Sequence, residues 1–583
     1  MWLYRQYTQS FLLRHNVNRQ HDKNLCPSYQ GSAVNKNKHP TIRSDYQDVD
    51  VPSSEINKLE NITKAASIIA VGNVVSRVLG LVRDIAKSYY FGATGLVSAF
   101  NIASKIPMWL YDLLAGGMIN AALIPVFSSY SKPENRRELW LITSFLLTLC
   151  VSILTPLVII GEIFAEELVW LVSGGMSPYT LEIAAKLLRI TLPAILFLNL
   201  AGILAGLLYS LNRFTFPAFN AAIFNLAIVL ATVLFAKPFG VYSLAIGLLV
   251  GSTLQVILQL PGIKDSKLHF AFSLHHKAVR TIGKLYVPIA LGLIIDMVSR
   301  GISYRLASTT GDQSIAWMDY ATTIMQFPLG LTSTAISIAV LPTLARQAQY
   351  IEKTNSATFL ETLSQALNLV IILIIPATVG LFVLAEPVIQ LIFEHGDFLP
   401  SDTSMTTIIL KLYLFGIIAA AIDLPLINAF YARKEAWTPA LVGVVGVLVY
   451  LAAALFPSLY RPMKIEDLII ANALQLCYHA LTMYILVHKR IGNINNKLIL
   501  FTASKAIVSA SIMTIVTVGT LWLIGFFAWP TKLIQEFASV FIPGILGTLC
   551  YFMLMQKLNV PEISFVFKLI NPVRKYSIKK DEH

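Results

Sequence analysis

From Ile62 onward the chain alternates long apolar stretches with short polar connections, and fourteen such stretches follow one another. They run from about 62 to 90 and 95 to 130 through to about 501 to 527 and 537 to 556. Each is long enough to cross a bilayer core, which takes roughly 20 predominantly apolar residues in helical form. In lipid a helix satisfies its own backbone hydrogen bonds, so the pattern predicts an all-α polytopic membrane protein of about fourteen transmembrane helices. Residues 1–60 carry scattered charge of both signs and lack the apolar core of a signal peptide. They read as a disordered cytoplasmic tail, or as sequence ahead of a misassigned start.

Composition agrees with this pattern. The 583 residues are 56% hydrophobic and only 13% charged, with a mean hydropathy of +0.66, more apolar surface than a soluble chain can hide. Disordered, collagen-like and disulfide-stapled classes are excluded together. Cys26, Cys150, Cys477 and Cys550 are too scattered for a disulfide framework or a paired-cysteine metal site. A net charge of +13 on a soluble protein would suggest nucleic acid, but here its distribution matters more than its sum. With the N-terminus inside, sixteen Lys and Arg fall in the cytoplasmic connections, among them Arg136, Arg137, Arg213, Lys264, Lys353 and Lys489. Only Lys237, Arg461, Lys464 and Lys532 fall outside, so the alternation follows the positive-inside rule with both termini cytoplasmic.

The chain also repeats itself at about 220 residues. Tyr209 with Pro217-Ala218 returns as Tyr431 with Pro439-Ala440, and Pro156 with Ala165-Glu166 returns as Pro376 with Ala385-Glu386. Pro107, Pro125, Pro178 and Pro238 find Pro328, Pro342, Pro400 and Pro457 at offsets of 217 to 222. An offset spanning six helices preserves orientation, which predicts two parallel six-helix repeats about an axis along the membrane normal, with two further C-terminal helices. The expected organisation is a tail over 1–60, an N-lobe over 61–262, a C-lobe over 263–488, two helices over 489–556 and a basic cytoplasmic tail over 557–583. In such an architecture a substrate sits between the lobes.

Charges inside the spans mark where chemistry is expected. Arg77 and Arg83 in the first span match Arg300 and Arg305 in the seventh, at offsets of 223 and 222 within similar local text. A charge at mid-depth costs about 2.5 to 3.5 kcal/mol even on a mild insertion scale, so these groups face water, a partner or a ligand. Lys105, and Lys87 one turn beyond Arg83, add to the same positive region. Two arginine pairs converging from two lobes would form an anion receptor, since the guanidinium fork matches phosphate oxygens. The competing reading is internal neutralisation, with Asp296 four residues before Arg300 and Asp84 seven after Arg77 as charge partners. Gly116-Gly117 interrupts the second span and is either a hinge that lets a cavity open or a packing pair. Pro107, Pro193, Pro288, Pro328 and Pro376 suggest kinks, and His275-His276 reads as an ordinary loop pair. No catalytic or metal-ligating constellation is found.

The stretch Ser76-Arg77-Val78-Leu79-Gly80 with Arg83-Asp84, then Phe91-Gly92-Ala93, Ala99-Phe100, Lys105-Ile106-Pro107, Ala115 to Gly117 and Pro125-Val-Phe resembles the N-terminal signature of the MurJ/MviN family. Asn212-Arg213-Phe, Trp317 to Pro328, Leu341-Pro342 and Phe430-Tyr431-Ala-Arg433 extend the similarity over nearly the whole chain after residue 60. The resemblance implies the fold of the MOP exporter superfamily with a V-shaped central cavity. It implies flipping of lipid II, the undecaprenyl-diphosphate-linked peptidoglycan precursor, across the bacterial inner membrane. It also implies that cavity arginines hold the diphosphate and that the last two helices make a groove for the prenyl tail. This chain departs from the family pattern at Ser98, Tyr111, Asp112, Gly116 and Thr322-Thr323, where charged residues are usual.

The expected function is therefore alternating-access transport of a polyprenyl-linked lipid by a monomer, with no cofactor, no nucleic acid and contacts to other cell-wall synthesis proteins. Resetting an empty positive cavity calls for a counter-ion, which the sequence does not identify. Rival readings are a flippase for another polyprenyl-linked glycan, such as an exopolysaccharide unit, and a non-transporting envelope scaffold. A membrane glycosyltransferase would want a carboxylate or metal site near a large loop, and the outer loops are short.

Overall fold

The computed structural model describes residues 53–270, 277–349, 357–560 and 562–563, with side chains from residue 64 except at 120, 121 and 288. Most of the N-terminal tail, His275-His276, Lys353 and the basic residues from 564 onward lie outside the described residues. The rest is helix and short connections, with no strand among the described residues. In chain order the first half comprises α1 (Ser53–Phe91), α2 (Gly95–Tyr111), α3 (Ile124–Ser129), α4 (Arg136–Ile163), α5 (Ala165–Ser173), α6 (Pro178–Thr191), α7 (Ala194–Ser210), α8 (Thr215–Ala218), α9 (Asn220–Phe239) and α10 (Tyr242–Gln259). The second half comprises α11 (Lys277–Ser308), α12 (Ser314–Leu329), α13 (Ala335–Ala348), α14 (Ala357–Val383), α15 (Ala385–Phe393), α16 (Pro400–Ala432), α17 (Trp437–Leu455) and α18 (Ile465–Arg490), followed by α19 (Asn496–Ile524) and α20 (Lys532–Lys557).

Among the described residues eleven helices are long and apolar enough to cross a membrane, and thirteen spans result if two bent pairs each count as one. The bent pairs are α6 with α7, turning by 41° at Leu192-Pro193, and the two parts of α11, turning by 45° between Val287 and Ile289. Proline explains both positions, because its missing N–H and its ring break the ladder there. The remaining expected stretch, 95–130, runs as α2, two π-helical segments at Asp112–Gly116 and Ile119–Leu123, and α3. At 1.5 Å per residue the 35 positions from Gly95 to Ser129 reach about 50 Å, enough to cross with tilt. The protein is thus an all-α multi-pass membrane protein.

The internal duplication is visible in details that hydropathy does not encode. The nine-residue helix α5 returns as α15 at an offset of 220. The π-helical segment Asp112–Gly116 returns as Gly330–Thr334 between α12 and α13, at an offset of 218. Asn212 and Lys434, the repeat-related residues after α7 and α16, both adopt left-handed backbone, with φ of 59° and 64°.

Packing follows the duplication. In the first half α1 lies along α9, α2 along α6, α7 along α4 and α10, and α9 along α10. In the second, α16 is the hub for α12, α14 and α18, while α19 joins α14 to α20. Helix α11 touches both halves: Ala278 and Ile282 share a core with α3, α4 and α7, whereas other parts meet α12, α17 and α18. Pro425 inside α16 frees the carbonyl of Ala421, and Ser333 in the π-helical segment donates its hydroxyl to that oxygen at 2.6 Å. The C-terminal half is tied together at a helix break.

Candidate substrate site between the two halves

Helix α1 ends at Phe91, so Lys87 lies about 6 Å and Arg83 about 12 Å from that end along the axis. Lys87 reaches α12, and Arg83 reaches α9. The Arg83 guanidinium holds Asp84 through Nε and Nη2, at 3.1 Å and 3.0 Å to Oδ1 and 3.2 Å to Oδ2. Its Nη1 donates to Asn225 Oδ1 of α9 at 3.0 Å, and Asn225 in turn donates to the Ser76 carbonyl at 3.2 Å. Lys87 Nζ bridges Asp84 Oδ1 at 3.3 Å and Asp319 Oδ2 of α12 at 2.7 Å. Lys105 Nζ of α2 reaches the other oxygen of Asp319 at 3.3 Å. Thr323 Oγ1 completes the group by donating to Asp84 Oδ2 at 3.3 Å.

Five charged residues from three helices therefore meet between the halves. Three cations face two carboxylates, which leaves one net positive charge. Lys87 and Asp84 are 3% exposed, whereas Arg83 and Lys105 keep 28% and 33% of their side-chain surface open. A cluster of residual positive charge with two reachable donors can receive an anion, and it does so in surroundings of low dielectric where charge-assisted bonds are strong.

Around this cluster one face of the protein is latched from half to half. Asp312 accepts from the Ser177 backbone N–H at 2.8 Å and from Thr180 Oγ1 at 2.6 Å, at the N-terminus of α6 where an anion is favoured. Burial pushes the Asp312 carboxyl up, but the hydrogen bonds from Ser177 and Thr180 outweigh it and hold the group below the usual carboxylate range. Gly175 N–H donates to Ser308 Oγ at 3.1 Å, Ala316 N–H to Ser98 Oγ at 3.0 Å, and Tyr320 Oη to the Gly92 carbonyl at 2.9 Å. Gly92 and Gly396 both need positive φ, 61° and 63°, and each lies backbone to backbone against the other half, Gly92 on Asp397 and Gly396 on Tyr89. A side chain at either would collide with main chain. Midway along the helices, away from the latch, α1 and α11 leave Val71, Val74, Val78, Leu291, Ile294 and Ile295 exposed.

Of the sequence-predicted residues, Arg83, Lys105 and Asp84 come together in the cluster. The others do not converge as expected. Arg77 lies deeper on α1, with its guanidinium against Gly330 of the other half. Arg300 is paired along α11 with Asp296, as internal neutralisation predicts, and borders a crevice with Trp109 and Asp112. Arg305 sits at the latched face, donating to the Trp170 carbonyl and stacking over the Trp170 ring at 4.6 Å. The expectation that two arginine pairs form one receptor is thus corrected. Arg305 lies one turn from the end of α11 and meets α5 first, so the second half contributes an acid, Asp319, where bases were expected. Asp84 serves Arg83 and Lys87 in place of Arg77. Gly116 closes the π-helical segment, and Gly117 is a close-approach point for Leu293 of α11.

Two residues of the cluster went unread. Asn225 is an amide inside the apolar span α9, a signal that intramembrane polar groups carry. Asp319 cannot be placed from spacing, since its partner Lys87 is 232 residues away.

The family model of the lipid II flippase MurJ matches residues 87–541. The chain belongs to this family. A probable lipid II flippase MurJ from Haemophilus influenzae is 29% identical over 429 residues, covering 70% of this chain and 83% of the relative. One from Buchnera aphidicola subsp. Acyrthosiphon pisum is 27% identical over 530 residues, covering 87% and 99%. The solved lipid II flippase MurJ in an inward closed conformation superposes with a TM-score of 0.69 at 26% identity, over 86% of this chain and 99% of that one. An inward-facing MATE transporter of the MOP superfamily, at 12% identity and a TM-score of 0.63, shares the fold alone.

Proposed function

We propose that the chain flips lipid II from the inner to the outer leaflet of the bacterial inner membrane by alternating access. Membership of the flippase family supports this reading, and the single observation that carries it is the net positive Arg83–Lys87–Lys105 cluster at the seam between the halves. The diphosphate of the lipid-linked precursor is a two-charge anion whose oxygens match the two reachable donors, Arg83 and Lys105. The basic connections, including Arg136, Arg213, Arg433 and Arg490, gather at the end of the helices away from the latch. The positive-inside rule makes that face cytoplasmic and the latched face outer, with both termini inside. The state described is then closed outward. Moving each negative charge outward is favoured by about 2.3 kcal/mol per 100 mV of inside-negative potential, so the potential helps the loaded step. The protein acts as a monomer, on a polyprenyl-linked substrate, without a cofactor, and Gly116-Gly117 with the adjoining π-helical segment serves as the hinge of the second span.

Depletion of the resident lipid II flippase in a bacterial host tests this. The wild-type chain should restore growth, and Arg83→Ala at equal membrane abundance should not. Failure of both to restore growth would move the assignment to another polyprenyl-linked glycan or to a scaffold.

A further inference from the structure

Asp84 and Asp319 are the two acids of the cluster, and they differ in one mechanical respect. Asp84 sits on α1 beside Arg83 and moves with the cations it neutralises. Asp319 belongs to α12 in the other half, yet it takes both Lys87 and Lys105. When the halves part at the latched face, Asp319 is the acid that leaves. The first half would then hold Arg83, Lys87 and Lys105 against Asp84 alone, two uncompensated positive charges at membrane depth, and Asp319 would stand bare opposite them. A diphosphate brings about two negative charges to the same place, and charges in lipid surroundings are costly unless matched.

We propose that Asp319 is a resident stand-in for the substrate's diphosphate, and that the substrate opens the outer latch by displacing it. This rests on the function proposed above and adds how occupancy is made a condition of opening. Exposure sets the order of events. Lys105 and Arg83 are reachable, and Lys87 is buried beneath them, so incoming phosphate oxygens meet Lys105 first and weaken one of the two bonds holding Asp319. Transfer of Lys87 from Asp319 to the ligand frees α12. Next to Asp319 on the same helix, Tyr320 donates to Gly92 and the Ala316 N–H to Ser98. Releasing Asp319 therefore loosens the hydrogen bonds that close the seam. With no ligand, separating Lys87 and Lys105 from Asp319 leaves unmatched charge on both halves, and the empty protein stays shut. The Asp-Arg pair that the family resemblance places at 322–323 is Thr322-Thr323 here, and Asp319 supplies the acid one helical turn earlier.

The test uses the full-length protein in nanodiscs, with the four native cysteines replaced by serine and a reporter Ala316→Cys, a position with no exposed surface in the latched state. A second reporter, Ser458→Cys on an exposed loop, checks folding and insertion. Maleimide labelling of residue 316 should be slow in the otherwise wild-type protein and rise at least fivefold with inorganic pyrophosphate. In Asp319→Asn it should be equally fast with and without pyrophosphate, and in Asp319→Glu it should again depend on pyrophosphate. If pyrophosphate binds to the wild-type protein and Asp319→Asn labels as slowly as wild type, the stand-in role is wrong while the anion site stands. If pyrophosphate neither binds nor changes labelling in the wild type, the diphosphate reading of the site itself is wrong. Labelling of Asp319→Glu that matches Asp319→Asn would overturn the requirement for a charge at this position.

Discussion

Helices α1 and α11 occupy equivalent places in the two repeats and share their local text, yet their charges do different work. On α1, Arg83 and Lys87 reach across to other helices, sharing Asp84 with each other and Asp319 with the second half. On α11, Arg300 is neutralised on its own helix by Asp296, and Arg305 is spent on the Trp170 carbonyl and ring at the latched face. Duplication preserved where the backbone goes. It did not preserve what the side chains meet, because Asp84 and Lys87 on α1 have Leu306 and Thr309 at the corresponding places of the second repeat. The candidate site is therefore asymmetric, with the bases on one half and a removable acid on the other.

The largest effect that would sharpen this contrast is expected at Lys87. Lys87→Met leaves Asp319 with Lys105 alone and Asp84 with Arg83 alone, inside the membrane. Removing one partner of a buried ion pair costs about 3 to 5 kcal/mol. Loss of complementation together with a clear drop in unfolding midpoint in mixed micelles is expected, and an unchanged midpoint would show that the group is solvated.

The comparison itself is broken or upheld by paired neutralisation. Arg83→Gln with Asp84→Asn removes one charge of each sign from α1, and Arg300→Gln with Asp296→Asn does the same on α11. Flipping measured in proteoliposomes should fall about 100-fold for the first, roughly 2.7 kcal/mol of lost stabilisation, and stay within about threefold for the second. Equal losses would mean that both helices feed one receptor after all.

Much of the architecture was legible from the sequence. Fourteen apolar stretches and prolines repeating near 220 residues are properties of the backbone's solvent and of helix ends, and both survive divergence. The cluster was legible in part. Arg83, Asp84 and Lys105 could be read because intramembrane charge is expensive, but partners 142 and 232 residues away cannot be assigned from spacing. Arg305 misled because the repeat offset gives its height along α11 and says nothing of the Trp170 ring waiting there. The π-helical segments were legible only as the Gly116-Gly117 interruption, since a single extra residue per turn leaves no signature in hydropathy.

A smaller effect is expected at the latch. Asp312 belongs to the second half and caps α6 of the first, a contact worth about 1 kcal/mol by analogy with other helix caps. Its carboxyl is held low by Ser177 and Thr180, so the contact is complete above the ordinary carboxylate pKa and is lost as pH falls through the lowered value. Asp312→Asn should raise labelling of Ala316→Cys severalfold at neutral pH. Acidification should do the same to the parent protein, with labelling taken as a ratio to that of the exposed Ser458→Cys reporter to remove the effect of thiol protonation, and add nothing to the variant.

The smallest effect belongs to an ion pair with nearly the same chemistry as Arg83–Asp84 but at the opposite face. Arg213 holds Asp265 through both guanidinium nitrogens, at 2.6 Å and 2.9 Å, and also donates to the Gly262 carbonyl, while Arg136 stands 3.6 Å from the same carboxylate. The Arg213 hydrogen bonds, with the charges of Arg213 and Arg136, hold the Asp265 carboxyl below its ordinary range. A depressed carboxylate stabilises the fold above its unfolded pKa and loses that contribution as pH falls through the folded value. Both side chains are more than a third exposed, so screening leaves well under 1 kcal/mol. Arg213→Gln should therefore lower the melting midpoint by only a degree or two at pH 7, with the difference vanishing in high salt and once the pH has fallen through the lowered Asp265 carboxyl value. Lys87→Met, by contrast, should keep most of its penalty in high salt, because lipid and protein rather than water surround the charges it unpairs. If both penalties fade alike with salt, the seam is hydrated throughout and its ion pairs are ordinary surface pairs.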